Sequence, residues 1–125
     1  EISGGAIPVV KEEDALRLKG ILGASRAVVG SRFHALVSAL SQGVPAVATG
    51  WSHKYTELFS DYGFPEGIVS INDDASRVNE MLDSIVEASA ATQISAQLLE
   101  QSHRQKLLAE EMWSEVDAVI KSPRR

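Results

Sequence analysis

The sequence predicts an α/β fold, in which a parallel sheet of about four strands is flanked by helices and followed by a long C-terminal helix. Short apolar runs alternate with segments whose apolar residues recur at helical spacing, and this order is typical of parallel sheets. Residues 27–30 and 46–49 are apolar on both faces, as expected for strands covered by helices on both sides. A chain of 125 residues can form one domain with its own core.

Each element has its own local signal. Strands are predicted at residues 7–10, 27–30, 46–49 and 68–71, and helices at 11–24, 31–43, 54–62, 72–86 and 92–121. Three acids, Glu12, Glu13 and Asp14, fall in the first turn of the first predicted helix, where the helix dipole favours them. Gly23 and Gly43 are expected to end the first two helices. Ser31, Ser52 and the pair 72–73 are expected to cap the later ones.

The last predicted helix is long, and its middle, residues 100–106, is polar nearly all round. Such a segment is expected to cross exposed surface or to lie against another domain.

Composition excludes several classes of function. Seventeen acidic residues against 12 basic ones give a net charge of −5, which weighs against nucleic-acid binding. There is no cysteine, so disulfides and thiolate metal sites are excluded, and a cytoplasmic location is favoured. No apolar run approaches the roughly 18–20 residues of a membrane helix. The chain begins Glu1-Ile2-Ser3 without a methionine, so we expect it to be a fragment of a longer protein.

Two predicted strand-to-helix turns carry the residues expected to do chemistry. The first is Gly30-Ser31-Arg32-Phe33-His34, and the second is Gly50-Trp51-Ser52-His53-Lys54-Tyr55. Ligands of open parallel sheets bind beyond the carboxyl ends of the strands, where both turns are expected. The first N–H groups of a helix have no partner inside it, and with the dipole they form a site for phosphate or carboxylate.

The side chains of these turns suit a small anion with more than one charge. Arg32 can grip a carboxylate or phosphate with two hydrogen bonds, and Lys54 adds a point charge. His34 and His53 can transfer protons near neutral pH. Because Arg32 and His34 are two residues apart, they can converge only if Arg32 lies before the regular helix.

Each of these residues also has a structural interpretation. Arg32 could pair with a surface acid, His34 could be half-buried, and His53 and Lys54 could belong to an exposed first turn. Ser31 and Ser52 are expected first of all to cap helices, and either could also contact the ligand. The remaining candidates are expected to be structural: Trp51 as a packing residue or pocket wall, and His103 as a solvated residue.

The segments Gly30-Ser31-Arg32-Phe33-His34-Ala35-Leu36, Gly43-Val44-Pro45 and Ser52-His53-Lys54-Tyr55 resemble the C-terminal signature of the polysaccharide pyruvyl transferase family. The resemblance covers about residues 24–64, and outside it only the order of secondary structure agrees. It implies the C-terminal, Rossmann-like half of a GT-B-like fold, so that residues 1–125 would be a donor-binding domain without its N-terminal partner.

The resemblance also implies an activity. The donor would be phosphoenolpyruvate, no cofactor would be needed, and pyruvate would be transferred to a saccharide as a ketal. Arg32 and His34 would hold the donor, with His34 and His53 as candidate acid or base, and Ser31, Ser52 and Lys54 would contact the donor beside them. The acceptor would contact the missing domain, so the fragment alone is expected to be inactive.

Two other functions fit the same pattern. A nucleotide-sugar glycosyltransferase would bind a diphosphate at these turns and place an acid, such as Glu57 or Asp61, on a ribose. A non-enzymatic module could bind a phosphorylated metabolite there.

Overall fold

The computed structural model describes residues 7–50, 52–70 and 74–122, and its α/β architecture is the predicted one. The helices are α1 (Ala15–Gly23), α2 (Phe33–Leu40), α3 (His53–Asp61), α4 (Ala75–Val86) and α5 (Ala88–Lys121). The strands are β1 (Val28–Gly30), β2 (Ala46–Thr49) and β3 (Ile68–Val69), with a 3₁₀ turn at Pro65–Gly67.

The sheet is parallel throughout, in the order β1-β2-β3. Gly30 pairs with Ala48, and Thr49 pairs with Val69. The carboxyl ends of all three strands therefore lie at one edge of the sheet, and α2, α3 and α4 begin just beyond it. This register brings three β-to-α junctions side by side.

The predicted strand at residues 7–10 is wrong: the described part of the chain forms three strands, not four. The side chains of Ile7 and Val9 are 71% and 82% exposed, so nothing covers this run. Pro8 has no N–H to donate to a neighbouring strand. An apolar, β-prone run becomes a strand only where a partner satisfies its backbone groups. Of the predicted strand at 68–71, residue 71 lies outside the described residues.

All five helix starts differ from the prediction, by one to four residues. The first helix begins at Ala15 instead of residue 11, because Asp14 is the N-cap and accepts a hydrogen bond from the N–H of Arg17 at 2.9 Å. The three acids therefore precede the first turn. Ser31 does not cap α2; Arg32 occupies the N-cap, without a side-chain capping bond. The last helix begins at residue 88, capped by the carboxylate of Glu87. The predicted capping pair 72–73 lies outside the described residues.

The core lies between the sheet and the inner faces of α2, α3, α4 and the first half of α5. Its largest fully buried side chains are Leu36, Leu40, Val47, Phe59, Phe64, Val69, Ile85 and Leu98. Burial of such side chains, at about 1.5–3 kcal/mol each, provides the main favourable term in folding. The aromatic pair Phe59 and Phe64 packs directly beneath β2 and the 3₁₀ turn, where Gly67 leaves room for both rings.

The long helix α5 is attached to the domain by its first half. Leu98 is fully buried, and the buried hydroxyl of Ser102 donates to the Ser41 carbonyl at 2.9 Å. Ser102 is thus a buried exception in the polar segment 100–106, whose other residues are exposed or half-buried. The second half of α5 is exposed on every side, including Trp113 and Ile120. None of the helices formed by the described residues combines the length and the apolar character that crossing a membrane requires.

Candidate functional site

Arg32 and His34 lie at the first junction, between β1 and α2. Arg32 is the N-cap, with extended φ and ψ of −95° and 114°, and its carbonyl accepts hydrogen bonds from the N–H groups of Ala35 and Leu36. His34 is the second residue of α2, and both side chains are exposed. Because Arg32 precedes the regular helix, the two-residue spacing does not force the guanidinium and the imidazole onto opposite faces. This is the backbone arrangement that a shared ligand requires.

The second junction, between β2 and α3, presents Ser52, His53 and Lys54. Ser52 is the predicted N-cap, and its carbonyl accepts from the N–H of Tyr55 at 2.9 Å. Its hydroxyl makes no capping bond, so the capping prediction is right in position and wrong in the role of the side chain. His53 and Lys54 open α3, and both are exposed. The neighbouring Trp51 lies outside the described residues.

Tyr55 and Phe33 join the first two junctions. The hydroxyl of Tyr55 donates to the Ser31 carbonyl at 2.7 Å, and the Tyr55 ring lies 6.0 Å from that of Phe33. Phe33 in turn meets the His34 imidazole edge to face, with centroids 6.0 Å apart. Lys54 Nζ lies 5.3 Å from the Phe33 centroid and 5.6 Å from that of Tyr55, within the range of a cation–π contact. Lys54 is thereby held beside the first junction.

The sequence interpretation included both bridging aromatics in the turn segments but assigned neither of them a role in the site. A signal was available: each ring lies in the first turn of its helix, directly beside a predicted basic residue. An aromatic residue at such a position can hold a cation as well as pack.

His53 faces the opposite way, toward α4. It lines a cleft of about 470 Å³ together with Ser52 and Thr56 of the second junction, Ser70 after β3 and Arg77 in the first turn of α4. His53 Nε2 also lies 3.3 Å from Glu57 Oε1, one turn further along α3, and both side chains are well exposed. The predicted site residues are therefore arranged in two neighbouring groups. His34 and Lys54 contact Phe33, with Arg32 next to Phe33 in the chain, and Ser52 and His53 line the cleft.

Arg77 is the cationic residue at this edge that the sequence interpretation did not identify. It lies four residues or more beyond the predicted cap of its helix, and no turn motif surrounds it. The available signal was topological: α4 follows a parallel strand, so its first turn belongs to the same sheet edge as the other two junctions.

The electrostatics of the three junctions are unusual for a chain of net charge −5. The first turns of α2, α3 and α4 contain no acid, and the only acid among their N-caps is Asp74, which precedes α4. These turns and N-caps carry five basic residues, Arg32, His34, His53, Lys54 and Arg77. A positive charge at a helix N-terminus is repelled by the positive end of the helix dipole, and this repulsion typically costs about 0.3–1 kcal/mol of stability. A bound anion would make the electrostatic interaction at these helix starts favourable, because it attracts both the dipoles and the cations.

Several polar groups outside the three junctions are exposed or make structural hydrogen bonds. His103 is exposed on α5, as predicted. A second cleft of about 520 Å³ lies at the opposite edge of the sheet, and its cation, Arg26, donates to the Val86 carbonyl at 2.9 Å. Within 7–50, 52–70 and 74–122, no three His, Asp or Glu side chains come together as a metal site.

Comparison with known families supports the resemblance seen in the sequence. The family model described as polysaccharide pyruvyl transferase matches residues 4–53. The match contains the whole first junction and reaches the second as far as His53. It begins earlier in the chain than the resemblance at 24–64 and stops sooner. No solved structure matches the chain.

Proposed function

We propose that this chain is the donor-binding, C-terminal domain of a polysaccharide pyruvyl transferase that uses phosphoenolpyruvate. The observation that carries the proposal is the coincidence of the family match with the basic junctions. Residues 4–53 include Arg32, His34 and His53, and the fold places these residues at the sheet edge where ligands of parallel sheets bind. The acceptor saccharide would be bound by an N-terminal domain, so the chain alone would be inactive.

The proposed reaction forms a ketal from an enol phosphate. A proton is added to the methylene carbon of phosphoenolpyruvate, and positive charge develops at the central carbon. Two sugar hydroxyls form bonds to that carbon, its bond to the phosphate oxygen breaks, and inorganic phosphate leaves. Of the two hydroxyl protons, one balances the proton taken up by the methyl group and the other leaves with phosphate.

The junction residues supply what this reaction needs. Arg32 offers a two-pronged donor for an anionic end of phosphoenolpyruvate, and Lys54 adds positive charge beside it. His34 and His53 are the groups that can deliver the proton to carbon and accept one from a sugar hydroxyl. The hydroxyl of Ser52 and the backbone at Ser31 would complete the donor contacts. No cofactor takes part in this scheme, and we expect the reaction to occur in the cytoplasm.

The proposal is tested by Arg32→Gln in the complete protein. Transfer of pyruvate from phosphoenolpyruvate should fall about 100-fold or more, because the variant loses charged hydrogen bonds made to the reacting molecule. The melting temperature should stay unchanged, since Arg32 is exposed and makes no side-chain capping bond. Arg104→Gln is a matched control, because Arg104 is an exposed arginine on α5 near Asp61, at the other end of α3.

Two results would contradict the proposal. Transfer by Arg32→Gln within a few-fold of wild type would remove Arg32 from the donor site. Thermal stabilisation of the wild-type protein by a nucleotide sugar, and not by phosphoenolpyruvate, would instead identify a glycosyltransferase. Glu57 is one of the acids that could bind the ribose of a nucleotide sugar. Because its carboxylate pairs with His53, it gives no support to the glycosyltransferase alternative.

A further inference from the structure

The cleft between the starts of α3 and α4 is distinct from the group of residues around Phe33. Its polar lining consists of one guanidinium, one imidazole and three hydroxyls, from Arg77, His53, Ser52, Thr56 and Ser70. Among the described residues that line it, none is acidic. Glu57 pairs with His53 from outside the lining set, and the backbone carbonyl of Asp74, the N-cap of α4, accepts from the N–H of Arg77 at 3.0 Å.

This set of groups has the chemistry of a phosphate site. A phosphate presents acceptor oxygens in several directions, which the three hydroxyls and the fork of an arginine can meet from different sides. His53, the first residue of α3, lines the cleft, and the first N–H groups of a helix have no partner inside it. Ser70 and Arg77 also make contacts within the protein, and an anion would be added to those contacts.

We propose that this cleft is the phosphate subsite of the donor site and that Arg77 is a further substrate-binding residue. Its assignment to the donor rests on the proposed function; phosphate binding by the cleft does not. The carboxylate of the same donor would then be held by Arg32, His34 and Lys54 around Phe33. His53 and Lys54 are adjacent in sequence, about 3.8 Å apart at their α-carbons, so the two subsites meet at the second junction. Phosphoenolpyruvate carries its carboxylate and its phosphate ester on the same central carbon, so one molecule can place one anionic group in each subsite.

The experiment measures binding of inorganic phosphate to the complete protein by isothermal titration calorimetry. Arg77→Gln should weaken phosphate binding about 10- to 100-fold, the loss expected when a charged hydrogen bond is removed. Arg77→Lys should recover part of the affinity, because it keeps the charge and loses the fork. Arg104→Gln removes an exposed arginine elsewhere and should leave phosphate affinity within about twofold. Thermal unfolding of each variant confirms that the fold is retained.

Arg32→Gln completes the comparison, because it should weaken phosphoenolpyruvate about 10-fold or more and leave inorganic phosphate within about threefold. The inference is overturned if Arg77→Gln binds phosphate like the wild type, if the wild type binds no phosphate, or if Arg32→Gln alone abolishes phosphate binding. Transfer activity separates the two proposals. Phosphate binding that depends on Arg77 in a protein that never uses phosphoenolpyruvate would refute the proposed function and leave a phosphate site.

Discussion

Tyr55→Phe removes an oxygen atom through which the second junction is hydrogen-bonded to the first. In the wild-type protein the Tyr55 side chain is 9% exposed, and its hydroxyl donates to the Ser31 carbonyl at 2.7 Å. The phenylalanine ring would still pack against Phe33, so the substitution loses the hydrogen bond and keeps the ring contact. It therefore tests whether this bond sets the spacing of the two groups of site residues.

The expected effect on stability is small. A neutral hydrogen bond contributes about 0.5–1.5 kcal/mol net, and water can reach the exposed Ser31 to replace the lost donor, so a loss of about 1 kcal/mol is expected. A cooperative unit of 125 residues has an unfolding entropy of about 0.26 kcal/mol per kelvin. The melting temperature of this domain should therefore fall by about 4 °C.

The expected effect on activity is larger than on stability. A displacement of about 1 Å in the reacting groups can cost about 100-fold, so kcat/KM for phosphoenolpyruvate should fall about 10- to 100-fold. Tyr62→Phe is the matched control. Tyr62 is also buried, and it shares a hydrogen bond with Ser102 at the C-terminal end of α3, about 13 Å along the helix from His53.

Thermal unfolding and steady-state transfer kinetics on both variants decide the question. Both should lose about 1 kcal/mol, and only Tyr55→Phe should lose activity. If Tyr55→Phe is destabilised as expected but keeps kcat/KM within about twofold, the bond to Ser31 does not position the site. Equal losses of activity in the two variants would show that general destabilisation, and not the junction, is responsible.

Three further predictions concern stability. Gly67→Ala should lower the free energy of unfolding by about 1–3 kcal/mol in urea titrations, because a β-carbon there would lie 2.6 Å from a backbone carbonyl oxygen. Gly20→Ala, with open space around it, should raise that free energy by about 0.5–1 kcal/mol. Equal effects of the two substitutions would refute the packing argument. Ser102→Ala should cost about 1–3 kcal/mol by leaving the Ser41 carbonyl without its donor, and an unchanged urea midpoint would show that this hydrogen bond does not contribute to the docking of α5. Burial raises the pKa of Tyr62 above its ordinary value of 10.0, so this tyrosine ionises first in the unfolded state. The free energy of unfolding should therefore fall as pH rises above about 10. A Tyr62→Phe variant should lose less stability over this pH range than the wild type, and equal losses would exclude Tyr62 as the cause.

The parts of the fold that could be predicted from sequence are those in which local signals and tertiary packing agree. The apolar run at 46–49 became the central strand, and Ala46, Val47 and Ala48 are buried as a strand covered on both faces should be. The run at 7–10 has a similar local pattern and failed, because a strand also needs a neighbour to accept its hydrogen bonds. Pro8, which has no N–H to donate, is the local difference between the two runs, and the presence of a neighbouring strand is a tertiary property.

Helix starts were less predictable because adjacent residues compete for the same capping position. Glu12, Glu13 and Asp14 are all compatible with a first turn, but only the short aspartate side chain fits the N-cap, where it accepts from the N–H of Arg17. The prediction therefore placed the helix four residues too early. At the other end of the chain, Glu87 takes the same role for α5, although glutamate is not among the preferred caps.

For the candidate site, the sequence predicted the sheet edge and could not predict the facing of the side chains. Consecutive helical residues point about 100° apart, so His53 and Lys54 could not both face the first junction. The structure turns Lys54 toward Phe33 and His53 toward Arg77. Which of the two points which way depends on how α3 packs on the sheet through Tyr55, Leu58 and Phe59, and that rotation is a tertiary property.

The short range of exposed charges explains how an acidic chain can offer an anion site. Charges on exposed groups are largely screened beyond a Debye length of about 10 Å, so the net charge of −5 matters less at the junctions than the charges within one or two turns of them. Glu57 lies beside a site residue, because its carboxylate is 3.3 Å from His53 Nε2. A protonated imidazole is the form of His53 that would donate a proton to carbon. His53→Gln should therefore reduce transfer more than it reduces phosphate affinity, since Arg77 and the hydroxyls remain in the cleft; an equal reduction of both would assign His53 to binding alone.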